Sequence, residues 1–204
     1  MRKLPEHAEC PIDNWIYIVV EYAAPYFYQW GWTPNMITTL SNVFGILAAY
    51  LIYKRKFGIA AIAFLLAYVL DCLDGYVARK YDMVTVFGDL YDHFSDLAKV
   101  FIVFFVLWRI DAKLFVMVFL IYLCFLGLQC VHFGHKELYY CTINNCQTPE
   151  SEFLWTFTHL CDLEDRTDKD EILEKMRYTR HFGCGTATAY MVMVILGYGV
   201  LYGK

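Results

Sequence analysis

Six aspartates, Asp71, Asp74, Asp82, Asp89, Asp92 and Asp96, fall within or beside stretches apolar enough to cross a membrane. That conflict constrains the chain more than any other feature. A bilayer core about 30 Å thick takes about 20 mostly apolar helical residues. Four runs reach that length: Met36 to Tyr53, Ile59 into a polar tail ending near Lys80, Phe87 to Trp108, and Leu114 to Val131. A fifth, Ala187 to Leu201, is shorter, and Gly183, Gly185, Gly197 and Gly199 mark it as a close-packing helix. Hydrophobic residues make up 59% and charged residues 19% of the 204, more apolar material than a soluble globule of this size can hide. The expectation is an all-α integral membrane protein: a bundle of five transmembrane helices in a single membrane-embedded domain over residues 1–204. Phe153 to Asp162 is the candidate for a sixth span, against which Asp162 and the neighbouring acids argue.

The flanking segments complete the organisation. Met1 to Asn14 mixes both signs of charge with two prolines and lacks the apolar centre of a signal peptide. Trp15, Tyr17, Tyr22, Tyr26, Phe27, Tyr28, Trp30 and Trp32 follow within 18 residues. Such rings favour the headgroup level, so residues 11–30 are expected to form an interfacial helix kinked at Pro25. Residues 136–182 read as a soluble acidic insert, with nine acids against two bases between Glu150 and Glu174. Net charge is −4, which disfavours a nucleic-acid partner. Basic residues follow several spans, so charge asymmetry gives no orientation. The eight cysteines are too dilute for a disulfide scaffold. Cys141, Cys146, Cys161 and Cys184, with His159 and His181, fit no compact zinc spacing. His132 and His135 end the fourth run and read as interfacial.

An ionised carboxylate in hydrocarbon costs at least ~2.5–3.5 kcal/mol on insertion scales, so several together require counter-charge. At 100° per residue, Asp71, Asp74, Gly75, Ala78 and Arg79 share one face of the second run, and Gly88, Asp92 and Asp96 form one stripe on the third. Joined by a tight turn over 80–85, the two helices should form an antiparallel hairpin with four carboxylates across its seam. Oxygen ligands without His or Cys favour Mg²⁺ or Mn²⁺. Four acids match the charge of two divalent ions, a known device for phosphoryl chemistry. Arg79 adds a bidentate phosphate donor.

The run Asp71-x-x-Asp74-Gly75-x-x-Ala78-Arg79, then eight residues, Gly88-x-x-x-Asp92-x-x-x-Asp96, resembles the signature of the CDP-alcohol phosphotransferases at all eight fixed positions. Thr33-Pro34-Asn35-Met36-Ile37-Thr38 is similar to the Pro-Asn-x-x-Thr entry to that family's first span. The resemblance implies a membrane enzyme of phospholipid biosynthesis that moves a phosphoalcohol from a CDP-linked donor to a hydroxyl acceptor and releases CMP. It implies Asp71, Asp74, Asp92 and Asp96 as metal ligands, with Asp96 also the general base. Gly75, Ala78 and Arg79 would line the cytidine diphosphate pocket, approached by Asn35 and Thr38. It further implies a homodimer, an active site on the cytoplasmic side (of an endomembrane in a eukaryote), and six spans where five are counted here.

Chain length favours the subclass in which CDP-diacylglycerol gives a phosphatidyl group to a small polar alcohol. Tyr91-Asp92-His93 resembles the aminoalcohol subclass instead, in which CDP-choline or CDP-ethanolamine donates to diacylglycerol. A divalent-cation carrier is the alternative of another class, but it gives no use to Arg79, Gly75 or Gly88.

Overall fold

The computed structural model describes residues 2–146, 151–163 and 168–203. The chain is 84% helical and has no strand among these residues. Among the described residues, eight α-helices run in order: α1 (Pro11–Gln29), α2 (Pro34–Tyr53), α3 (Phe57–Lys80), α4 (Val86–Ile110), α5 (Ala112–Asn144), the single turn α6 (Glu152–Trp155), α7 (Lys169–Thr179) and α8 (Cys184–Tyr202). Each expected span therefore has a helix. Three of these helices, α2, α3 and α5, together with the segment Lys169–Tyr202 that contains α8, are long and apolar enough to cross a membrane. At 25 residues α4 has the length, but Asp89, Asp92, Asp96, Lys99 and Arg109 interrupt its apolar run. The candidate sixth span over 153–162 is not a membrane helix. It comprises α6 and a 3-10 turn at Thr156–Leu160, too short to span.

The helices gather into two compact units, Ile16–Ile121 with the part of α8 from Thr188, and Arg2–Trp15 with Tyr122–Ala187. The first unit carries the signature. Its α2 starts where the sequence dictates: the Thr33 hydroxyl accepts from the Met36 amide, and Pro34 occupies the first turn, where its missing N–H costs nothing. The buried face of α2 is Ile37, Thr38, Ser41, Gly45, Ala48, Ala49 and Ile52, and α3 buries Ala60, Ala61, Ala63 and Ala67. Small residues on both helices permit the close backbone approach that van der Waals packing in lipid requires. Opposite faces expose Val43, Ile46, Leu47, Ile59, Ile62 and Leu66, as lipid contact demands.

The portion of α1 in this unit sets Tyr17, Val20 and Ala24 against Ile37 of α2 and Leu73, Tyr76 and Val77 of α3. It leaves Tyr22 and Trp30 about 70% exposed. The helix is continuous through Pro25. A turn centred on Asp82, exposed at φ 54°, reverses the chain from α3 into α4, as the sequence leads one to expect. At the start of α4, the Thr85 hydroxyl accepts from the Gly88 amide at 3.0 Å. At its end, the Tyr202 hydroxyl and the Leu114 and Lys113 amides donate to Asp111 and hold its carboxyl below the usual value of 3.8.

The expected close packing of the C-terminal glycines holds at three of four positions. A Cβ at Gly199 would lie 2.9 Å from Phe57 Cβ, at Gly183 2.7 Å from Cys10 Cβ, and at Gly185 2.9 Å from Ile12 Cβ, whereas Gly197 faces open space. Gly199→Val is therefore expected to lower stability by about 1–3 kcal/mol, read as an earlier thermal transition in detergent, while Gly197→Val leaves it nearly unchanged.

In the second unit, Leu4, Ala8, Leu138, Tyr139, Cys161, Ile172 and Met176 form the core. Lys3 pairs with Glu137, and Lys136 lies 3.5 Å from Glu9. Here α5 continues as helix past Val131 to Asn144, beyond the end that hydropathy alone marks. The acidic segment expected over 150–174 falls partly at 150 and 164–167, outside the described residues.

Candidate active site

Carboxylates from α3 and α4 converge, although each of these helices packs closely on α2 rather than on the other. Asp71, Asp74 and Asp92 each offer a carboxylate oxygen, and these oxygens lie within 4.8 Å of one another. Among the described residues, this is the grouping of acidic, His or Cys side chains with the geometry to hold a metal ion. Asp74 is almost fully buried. Its Oδ2 accepts a 2.6 Å hydrogen bond from Thr38 Oγ1, so α2 reaches the cluster through Thr38. Asp92 Oδ1 is buried with no hydrogen-bond partner. A lone carboxylate oxygen in a low-dielectric setting is costly unless a cation completes it. A hard divalent ion fits this donor set, all carboxylate oxygen with one atom left unsatisfied.

Asp96, the fourth ligand expected from sequence, is placed differently. Its Oδ1 lies 2.8 Å from Lys99 Nζ, which also donates to Asp71 Oδ1 at 2.6 Å and to Ser41 Oγ at 2.8 Å. Lys99 is absent from the residues singled out in the sequence. The signal for it was present, since Lys99 is three residues beyond Asp96 and seven beyond Asp92 on the same helical stripe. A second set of contacts also escaped notice: Asn42 Nδ2 donates to Ser95 Oγ at 2.9 Å, and Thr39 and Tyr91 share a hydroxyl hydrogen bond of 3.0 Å. These fix the register of α2 against α4.

The remaining predicted residues make contacts of their own. A Cβ at Gly75 would lie 3.2 Å from Arg79 Nη2, so the absent side chain leaves room for the guanidinium to fold back one helical turn. At Gly88 it would meet Thr85 Oγ1 at 2.9 Å and Asn35 Oδ1 at 3.1 Å, which brings Asn35 against the start of α4. Ala78 caps the hairpin turn, its carbonyl accepting from the Met83 amide at 2.8 Å. Asp89 stands apart: its carbonyl accepts from His93 Nδ1 at 2.7 Å. His132 and His135 are buried in the second unit rather than interfacial, with His132 Nδ1 3.4 Å from Thr179 Oγ1.

The protein named CDP-diacylglycerol–glycerol-3-phosphate 3-phosphatidyltransferase in Rickettsia felis is 43% identical over 51 residues, 25% of this chain and 28% of that protein. Its namesake in Rickettsia typhi is 50% identical over 42 residues, 21% and 22% respectively. The chain thus spans about a quarter of the length of these curated relatives. No solved structure matches it. The sequence model described as CDP-alcohol phosphatidyltransferase matches residues 31–138, which take in α2, α3, α4 and most of α5. With that match over more than half its length and the aspartates assembled across α3 and α4, the chain belongs to the CDP-alcohol phosphatidyltransferase family.

Proposed function

We propose that the protein is a membrane phosphotransferase that moves a phosphatidyl group from CDP-diacylglycerol to a small polar alcohol and releases CMP. The observation that carries this reading is the trio Asp71, Asp74 and Asp92, of which Asp74 is buried and the other two half-buried, with its unsatisfied Asp92 oxygen. Mg²⁺ or Mn²⁺ bound among the aspartates would offset the diphosphate charge and stabilise CMP as it departs. Arg79, with Gly75 and Ala78 clearing space beside it, donates to a phosphate of the donor. Asn35 and Thr38 approach from α2, Thr38 by orienting Asp74. The acceptor oxygen forms a bond to the phosphorus that bears the diacylglycerol. The bond from that phosphorus to the bridging oxygen breaks, CMP carries away the electron pair, and Asp96 takes the acceptor's proton.

The names of the Rickettsia proteins support glycerol 3-phosphate as the first acceptor to try. His93, the residue behind the aminoalcohol alternative, is engaged with Asp89 on its own helix, which leaves that alternative the weaker. The aromatic row of α1 fits a helix lying at the headgroup level; an active site facing the cytoplasm and a homodimer are what the family resemblance implies.

Purified protein in detergent, given CDP-diacylglycerol, Mn²⁺ and a panel containing glycerol 3-phosphate, inositol and serine, is expected to release CMP with one acceptor and form the matching phospholipid, identified by mass. CMP release from CDP-choline with diacylglycerol, and none from CDP-diacylglycerol, would replace this reading with the other subclass.

A further inference from the structure

Lys99 is built into the site with more care than charge balance alone requires. An ammonium has three protons to donate, and Lys99 Nζ has three acceptors within 2.8 Å: Ser41 Oγ on α2, Asp71 Oδ1 on α3 and Asp96 Oδ1 on α4. The Ser41 hydroxyl donates its own proton to the Ala67 carbonyl at 2.8 Å, so the oxygen it turns to Lys99 can only accept. The aliphatic stem passes over Gly45, where a Cβ would lie 2.7 Å from Lys99 Cγ and 3.0 Å from Cδ. Three helices thus form a socket for one cation at membrane depth, where an unpaired ammonium is costly.

The socket divides the carboxylates. Asp71, Asp74 and Asp92 form the cluster with the unsatisfied oxygen. Asp71 Oδ1 and Asp96 Oδ1 are both committed to Lys99. Asp71 belongs to both groups, as a carboxylate bridging two metal ions would. We propose that in the donor-free protein the Lys99 ammonium takes the place of a second divalent ion, so that the protein binds one divalent ion per chain, on Asp71, Asp74 and Asp92. Lys99 is then a positioning residue that holds Asp71 and Asp96 in register before any nucleotide arrives. The charge count agrees: four carboxylates and one ammonium leave −3, which one divalent ion brings to −1 and two would reverse to +1.

The inference rests on the metal-dependent reading above, and counting ions separates the two. Mn²⁺ binding to the purified, donor-free full chain in detergent is measured by equilibrium dialysis and electron paramagnetic resonance. Wild type is expected to bind one ion per chain, and Lys99→Met, isosteric along the stem and uncharged, two. Two ions on wild type, or one on a folded Lys99→Met, overturns the inference and leaves the phosphotransferase reading standing; no ion on wild type removes the metal reading itself. Should Lys99→Met fail to fold, Asp96→Asn decides. One ion bound within threefold of wild-type affinity supports the inference, and loss of the ion or tenfold weaker binding overturns it.

Discussion

Asp92→Asn is expected to cut CMP release from CDP-diacylglycerol by about 10³-fold or more, the scale of losing a charge-bearing ligand that stabilises developing phosphate charge. At 1.36 kcal/mol per factor of ten, that is about 4 kcal/mol of barrier. The amide keeps the shape of the carboxylate, so α4 should pack as before. Without metal the variant should be no less stable than wild type, because one negative charge leaves a tight group of three. The measurement is steady-state CMP release beside a thermal melt in the same detergent. A folded Asp92→Asn that retains a tenth or more of wild-type turnover would remove Asp92 from the metal site.

Removal of divalent ions should produce the other large effect. Chelation with EDTA is expected to bring transfer to background and re-addition of Mg²⁺ or Mn²⁺ to restore it, because the donor set is wholly oxygen. The same ions should stabilise the fold in the absence of any donor. Binding to the native state alone contributes about 2.7 kcal/mol when the free ion is at 100 times its Kd. The sign is fixed: the native state gathers the three carboxylates and the unfolded chain does not, so the melting temperature rises with ion concentration. Asp92→Asn should abolish that rise together with turnover. A wild-type protein that melts at one temperature with or without Mn²⁺, and turns over in EDTA, would contradict the whole arrangement.

The hairpin of α3 and α4 was legible because helix periodicity converts spacing into direction. Asp71 and Asp74 are three apart and Gly88, Asp92 and Asp96 four apart, and the turn between them is too short for any path but reversal. Thr33-Pro34 likewise announced the start of α2 through backbone chemistry local to four residues. Lys99 was not legible from the carboxylate spacing because the acids imply a counter-charge without saying which helix supplies it; the lysine lies one turn further along the same stripe. The Asn42–Ser95 and Thr39–Tyr91 contacts join residues about fifty positions apart, and nothing in either local segment marks its partner. The length of α5 beyond the expected span was not legible because hydropathy reports where lipid contact stops, whereas the helix continues by backbone hydrogen bonding past His132 and Glu137, which are buried by protein.

Gly88 sets a tolerance. With Thr85 Oγ1 and Asn35 Oδ1 both within 3.1 Å of where a methyl group would sit, position 88 admits a hydrogen atom and nothing wider. The aperture between the starts of α2 and α4 is therefore gauged by two side chains, one of them pinned, since Thr85 Oγ1 also accepts from the Gly88 amide at 3.0 Å. Its width follows the rotamers of Thr85 and Asn35, so a larger residue at 88 enters only by turning one of them away.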